Sequence, residues 1–227
     1  MLKIISNYSG MLIGYLGTTI KITIIAMIFA LLIGLLFGML NISKNRLLNI
    51  LGTIYVDGIR GVPLIVLAFF IYFGIPMAIQ KIDFLGMRSF RFEAVTAGII
   101  ALSLNAGAYM AEIFRAGIQS IDKGQMEAAR SLGLGYGKAM RRVVIPQAIR
   151  VMIPSFVNQF IISLKDTSIL SAIGINELTH AGQIIEQNTF NSLGTWGLIG
   201  IMYMIVIISL SQLAKYLERR MRRGYEQ

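Results

Sequence analysis

The chain has 227 residues, of which 56% are hydrophobic and only 14% charged, with a mean hydropathy of +0.70. An ordinary soluble domain carries about 25% charged residues, so this balance excludes one and reads as an all-α integral membrane protein. The net charge of +10 fits membrane topology and attraction to anionic lipid better than nucleic-acid binding, and the absence of cysteine excludes disulfides, iron–sulfur clusters and thiolate metal sites within the chain.

Crossing a hydrocarbon core takes about 20 apolar residues, and five segments are long enough. Residues 1–18 alternate apolar residues with Tyr8, Tyr15, Gly10, Gly14 and Gly17. They suit a helix lying along the outer interface, continuation of the first span being the other reading. The first span, 19–40, is too long for the apolar region of a signal peptide and no small-residue cleavage site follows it, so it is expected to act as its own insertion signal. Further spans are expected at 62–79, 94–115, 151–170 and 193–213. The third and fourth of the five carry polar residues. His180, the only histidine, reads as a loop residue, and no metal site is expected.

Basic residues select the side on which loops stay. Lys44, Arg46 and Arg60 lie between the first two spans. Arg115, Lys123, Arg130, Lys138, Arg141, Arg142 and Arg150 lie between the third and fourth, and Lys215, Arg219, Arg220, Arg222 and Arg223 follow the last. The opposite side has Lys3, Lys81, Arg88 and Arg91, with Lys21 and Lys165 inside or at the edge of spans. This asymmetry places the N-terminus outside and the C-terminus in the cytoplasm.

The loop at 122–146 has a helical pattern of its own. Asp122 with Gln125 resembles a capping box, Gly133 suits a helix C-terminus, and a second helical piece at about Lys138 to Val144 is expected to end near Pro146. Within it, Glu127-Ala128-Ala129 is followed by Gly133, and then by Val143-Val144-Ile145-Pro146. This stretch resembles the EAA loop of the membrane subunits of ABC importers, in which Glu-Ala-Ala, three residues, Gly, nine residues and Ile-x-Leu-Pro follow one another. Val143 and Ile145 are conservative replacements and the spacing is intact. Arg60-Gly61-Val62-Pro63-Leu64, Ala108-Tyr109-Met110-Ala111-Glu112-Ile113-Phe114-Arg115, Lys123-Gly124-Gln125 and Lys165-Asp166-Thr167-Ser168 are similar to the polar amino acid permease branch, with Ile169 where Leu is common.

The resemblance implies a permease subunit of type I ABC importer fold: five transmembrane helices and a cytoplasmic coupling loop. It further implies two cytosolic ATPase subunits, a second permease copy or homologue, and an extracellular amino-acid-binding protein. On this reading Glu127, Ala128, Ala129, Gly133, Leu134 and Gly135 dock the ATPase, with Ala128 and Ala129 forming a flat surface and Gly133 the bend. ATP and Mg²⁺ would be bound by that partner. The chain's own Gly133-Leu134-Gly135-Tyr136-Gly137-Lys138-Ala139 lacks the glycine spacing, the Ser or Thr after Lys, and the preceding strand of a phosphate loop.

Polar side chains within spans are costly and normally face the bundle interior. Asn105, Tyr109 and Glu112 share one helical stripe, as do Ser155, Asn158, Gln159, Ser163 and Asp166. Together they could line a substrate pathway, or they could pack helices against one another. Glu112 is a candidate counter-ion for cationic substrates or a partner of Arg115 or Lys165, and Lys165 with Asp166 is expected at the inner mouth. A self-powered secondary transporter or channel is the alternative. The five spans show no two-fold internal symmetry to support it, and a membrane enzyme lacks a His, Cys or carboxylate cluster.

Overall fold

The computed structural model describes residues 1–82 and 89–222. Arg88 and Arg223 lie outside the described residues, as do the side chains of Arg219, Arg220 and Arg222. Every regular element among the described residues is helical.

Helix α1 spans Leu2–Ile42, 41 residues without a break, so the segment at 1–18 is not a separate element. Gly10, Gly14 and Gly17 face open space, and the hydroxyls of Thr18, Thr19 and Thr23 donate to carbonyls four residues earlier at 3.2, 3.1 and 2.8 Å. Ile4 and Leu12, two turns apart on one stripe, pack with Leu178, Ala181, Ile185, Leu198 and Ile199, so tertiary burial holds the N-terminal turns.

Residues 46–60, expected as loop, form the amphipathic helix α2 (Arg46–Arg60), whose N-cap Asn45 accepts from the Leu47 amide at 2.9 Å. It folds back along α1. Asn49 Nδ2 donates to the Asn41 carbonyl at 2.6 Å, and Tyr55, stacked on Phe37, donates its hydroxyl to the Leu104 carbonyl at 2.8 Å.

Helix α3 (Leu64–Ile82) contains a π-helical stretch, Phe70–Gly74. After α4 (Ala94–Gln119) and α5 (Lys123–Ser131), helix α6 begins as Tyr136–Ala139, widens into a π-helical stretch at Met140–Val144, and continues as Ile145–Asp166. Both π stretches lead into Ile-Pro, at Ile75-Pro76 and Ile145-Pro146. The Ile75 amide reaches Phe70 O and the Ile145 amide reaches Met140 O, five residues back. Proline lacks an amide hydrogen and crowds the carbonyl four residues earlier, and a wider turn relieves both problems. Pro146 therefore does not end the loop helix, as expected from sequence; the helix runs through it.

The helical ridge of α6 ends at Asp166, followed by a 3₁₀ turn at Thr167–Ile173, then α7 (Leu178–Thr189) and α8 (Ser192–Arg222). The sequence reading missed α7 and placed its His180 in a loop; His180 lies in the first turn, its Nδ1 2.9 Å from Asn176 Oδ1. Glu177 caps this helix, accepting from the Thr179 and His180 amides at 2.9 and 2.7 Å and from Tyr203 Oη at 2.9 Å. Its side chain is fully buried, which pushes its carboxyl above the usual range against the pull of those donors. Thr19 Oγ1 accepts from the Leu178 amide at 3.0 Å, so the start of α7 is tied to both α1 and α8.

Among the described residues four helices are long and apolar enough to cross a membrane: Lys3–Ile42, Leu64–Ile82, Ala94–Gln119 and Ser192–Leu213. The expected span at 151–170 is not one of them, because Ser155, Asn158, Gln159, Ser163, Lys165 and Asp166 lower its hydropathy. Helices α1 and α4 share the most extensive contact. A Cβ on Gly34 would lie 2.3 Å from Met110 Cβ, and one on Gly38 2.9 Å from Ala111 O, a small-xxx-small contact.

Candidate functional site

The 122–146 segment forms an elbow. Asp122 Oδ1 accepts from the Gly124 amide at 2.7 Å, which starts α5. The reciprocal half of a capping box is absent: Gln125 Oε1 instead accepts from Gln147 Nε2 at 3.2 Å, joining the two limbs. At the other end the Gly133 amide donates to Arg130 O at 3.0 Å and the Leu134 amide to Ala129 O at 3.2 Å. With Gly133 at φ 85°, these bonds make a Schellman motif, the reason this position needs a residue without Cβ.

The expected flat Ala128–Ala129 surface is not what forms. Helical geometry sets neighbours about 100° apart, so Ala128 is exposed while Ala129, only 5% exposed, is turned inward, and Ala139 opposite is fully buried. The outer surface of the elbow consists of Glu127, Ala128, Leu132, Gly133, Gly135 and Tyr136, with Leu134 half-buried. Leu132 at 85% exposure and Tyr136 at 54% give it an apolar tip. Neither stood out in the sequence. An apolar side chain beside a helix-ending glycine was the available signal.

The elbow's second limb is the first part of α6, so one unbroken helix connects it to a polar cleft between α4 and α6. A cavity of about 420 Å³ there is lined by Tyr109, Glu112, Ile113, Pro154, Ser155, Asn158 and Gln159. A second, of about 280 Å³, shares Glu112, Ile113 and Ser155 and continues past Ala116 and Gly117 to Ser120, toward the elbow. The structure thus brings together five of the eight residues of the two polar stripes. Asn105 is buried one turn from Tyr109, and buried Ser163 accepts from Gln159 Nε2 at 3.4 Å. Neither belongs to the cavity lining.

Lys165 and Asp166 are not at the same mouth as the elbow. Ile145–Asp166 is 22 residues long, or roughly 33 Å at 1.5 Å per residue, which carries them to the opposite end of α6. As helical neighbours they also diverge, Lys165 exposed and Asp166 half-buried, and no ion pair joins them among the described residues.

Glu112 pairs with Arg115: Arg115 Nε donates to Glu112 Oε2 at 3.0 Å and Nη2 to Oε1, while Nη1 reaches Gln119 Oε1 at 2.7 Å. Across the cleft mouth the Arg60 guanidinium lies over the Tyr109 ring, 5.3 Å from its centroid. The sequence marks Arg60 for orientation and within the Arg60-Gly61-Val62-Pro63-Leu64 stretch, but nothing local links it to Tyr109.

Apolar helices around a polar cleft, and an exposed elbow joined by continuous helix to the wall of that cleft, define a membrane-embedded transport subunit. The chain belongs to the family of binding-protein-dependent transport system inner membrane components, which it matches over residues 30–223. It is similar to the glutamine transport system permease protein GlnP of Escherichia coli (strain K12), 40% identical over 174 residues that cover 77% of this chain and 76% of the relative. The probable glutamine ABC transporter permease protein GlnM of Bacillus subtilis (strain 168) is 34% identical over 219 residues, 96% of each chain. A chain from the crystal structure of an amino acid ABC transporter with histidines superposes with a TM-score of 0.86 at 36% identity, over 95% of this chain and 96% of that one.

Proposed function

We propose that this chain is the permease subunit of an ATP-driven importer of polar amino acids of the glutamine type, and that substrate passes along the cleft between α4 and α6. The observation that carries the reading is the continuous helix from Tyr136 at the elbow to the cleft: a displacement of the elbow moves the helix that carries Ser155, Asn158 and Gln159. Glutamine comes from the names of the relatives.

The elbow, on the cytoplasmic side with the C-terminus, docks on a separate ATPase subunit through Glu127, Ala128, Leu132 and the Gly133 bend. Two ATPase subunits, a second permease copy or homologue, and an extracellular amino-acid-binding protein complete the assembly. ATP and Mg²⁺ on the ATPase supply the energy. The helix Ile145–Asp166 is the fifth transmembrane helix, its polar side covered by neighbouring helices or facing the pathway.

The test is uptake of labelled glutamine, histidine and arginine into proteoliposomes holding this chain with its ATPase and binding protein. Uptake should require ATP and fail in Gly133→Asp. Uptake driven by an ion gradient through this chain alone would overturn the assignment in favour of a secondary transporter.

A further inference from the structure

The charges around the cleft are unequally committed. Glu112, the carboxylate lining both cavities, is held at two points by Arg115, whose third nitrogen donates to Gln119. Asn158 and Gln159 are uncharged, and Gln159 already donates to Ser163. Arg60 differs. It closes the last turn of α2, where the chain breaks at Gly61-Val62-Pro63 before α3, and it is exposed. Its guanidinium rests on the Tyr109 ring, 5.3 Å from the centroid, and no described carboxylate lies within ion-pair distance of it. Stacking on an aromatic face leaves the edge of the guanidinium, with its N–H donors, unused. That edge is suited to a carboxylate, which an arginine fork binds with two parallel hydrogen bonds.

We infer that Arg60, stacked on Tyr109, is the anchor for the α-carboxylate of the transported amino acid in the cleft, with Glu112 committed to Arg115 and unavailable as a substrate counter-ion. The inference rests on the reading of the cleft as the substrate pathway. It assigns a direction to the bound molecule: carboxylate toward the α2–α3 break, side chain toward the amides of Asn158 and Gln159. A neutral polar amino acid then suits the site, because its carboxylate meets Arg60, a cation with no ion pair among the described residues, and its side-chain amide meets those of Asn158 and Gln159.

The experiment is equilibrium binding of labelled L-glutamine to the permease–ATPase complex in lipid nanodiscs, without binding protein, in competition with glutamine and with glutamine α-amide, which lacks the carboxylate. Wild type should prefer glutamine over its α-amide by tenfold or more. Arg60→Gln should reduce that preference at least tenfold, chiefly by weakening glutamine, and Arg60→Lys should recover part of it. A variant that merely disturbed packing would weaken both ligands alike. An unchanged preference in Arg60→Gln, with glutamine binding weakened by Tyr109→Ala or Asn158→Ala, would overturn the role of Arg60 and leave the cleft intact as the pathway. Glutamine binding that none of these variants alters, or no saturable binding to wild type, would overturn the cleft reading itself.

Discussion

At Glu112 and Arg115 the sequence offered two roles, and the geometry shows the pair. With its carboxylate spanned by Nε and Nη2 of Arg115, Glu112 presents little uncompensated charge to a substrate. Glu112→Gln should therefore reduce uptake of neutral and cationic amino acids to a similar extent. The pair is about one-third exposed, so its loss should cost at most about 1 kcal/mol in stability. Selective loss of arginine and histidine uptake in that variant would show that the carboxylate faces the substrate after all. Glu177 is the opposite case. Buried and holding two amides and the Tyr203 hydroxyl, it fixes where α7 starts. Glu177→Ala should lower the stability of the purified complex by about 2 kcal/mol from the lost cap and stranded donors, and Glu177→Gln by less because an acceptor oxygen remains. Thermal unfolding of the three proteins in parallel measures this.

Among elements, two features depend on glycine for different reasons. Gly133 needs its positive φ for the Schellman turn, and a Cβ there would meet nothing within 4 Å, so only the backbone resists substitution. Gly133→Val should cost about 1–2 kcal/mol locally and uncouple ATP hydrolysis from uptake, while Gly133→Asn, which tolerates the left-handed region, should retain most of both. Equal uptake in the two variants would remove the elbow's conformation from the mechanism. Gly34 instead faces Met110 across the α1–α4 contact. Gly34→Ala should lower the yield and melting temperature of the complex far more than Gly10→Ala, whose added methyl would have open space.

For the whole molecule, the consequence of the fold is transmission. The helix from Tyr136 to Asp166 passes two prolines, Pro146 and Pro154, without ending, and joins the exposed elbow to the cleft wall. Leu132→Asp alters only the elbow tip, 85% exposed and outside the cleft. It should leave glutamine binding to the permease unchanged yet reduce ATPase co-purification and ATP-dependent uptake together by tenfold or more. Co-purification at the wild-type level would show that the ATPase docks elsewhere.

Composition and spacing alone determined the membrane class, the apolar segments 62–79, 94–115 and 193–213 close to observed helices, the end but not the start of the segment at 19–40, and the existence of the elbow with its glycine. These follow from local quantities: apolar run length, charge and a single backbone requirement. Tertiary structure decided the rest. Helix α2 was hidden because its stability comes from Tyr55, Val56 and Gly52 packing on α1 and α4, and the unbroken course of α1 because Ile4 and Leu12 are buried by distant α7 and α8. The meeting of Arg60 with Tyr109, and the choice of Arg115 as the partner of Glu112, depend on which helices lie side by side and how each is turned. No single segment encodes that, because it is the packing of several apolar faces at once that selects it.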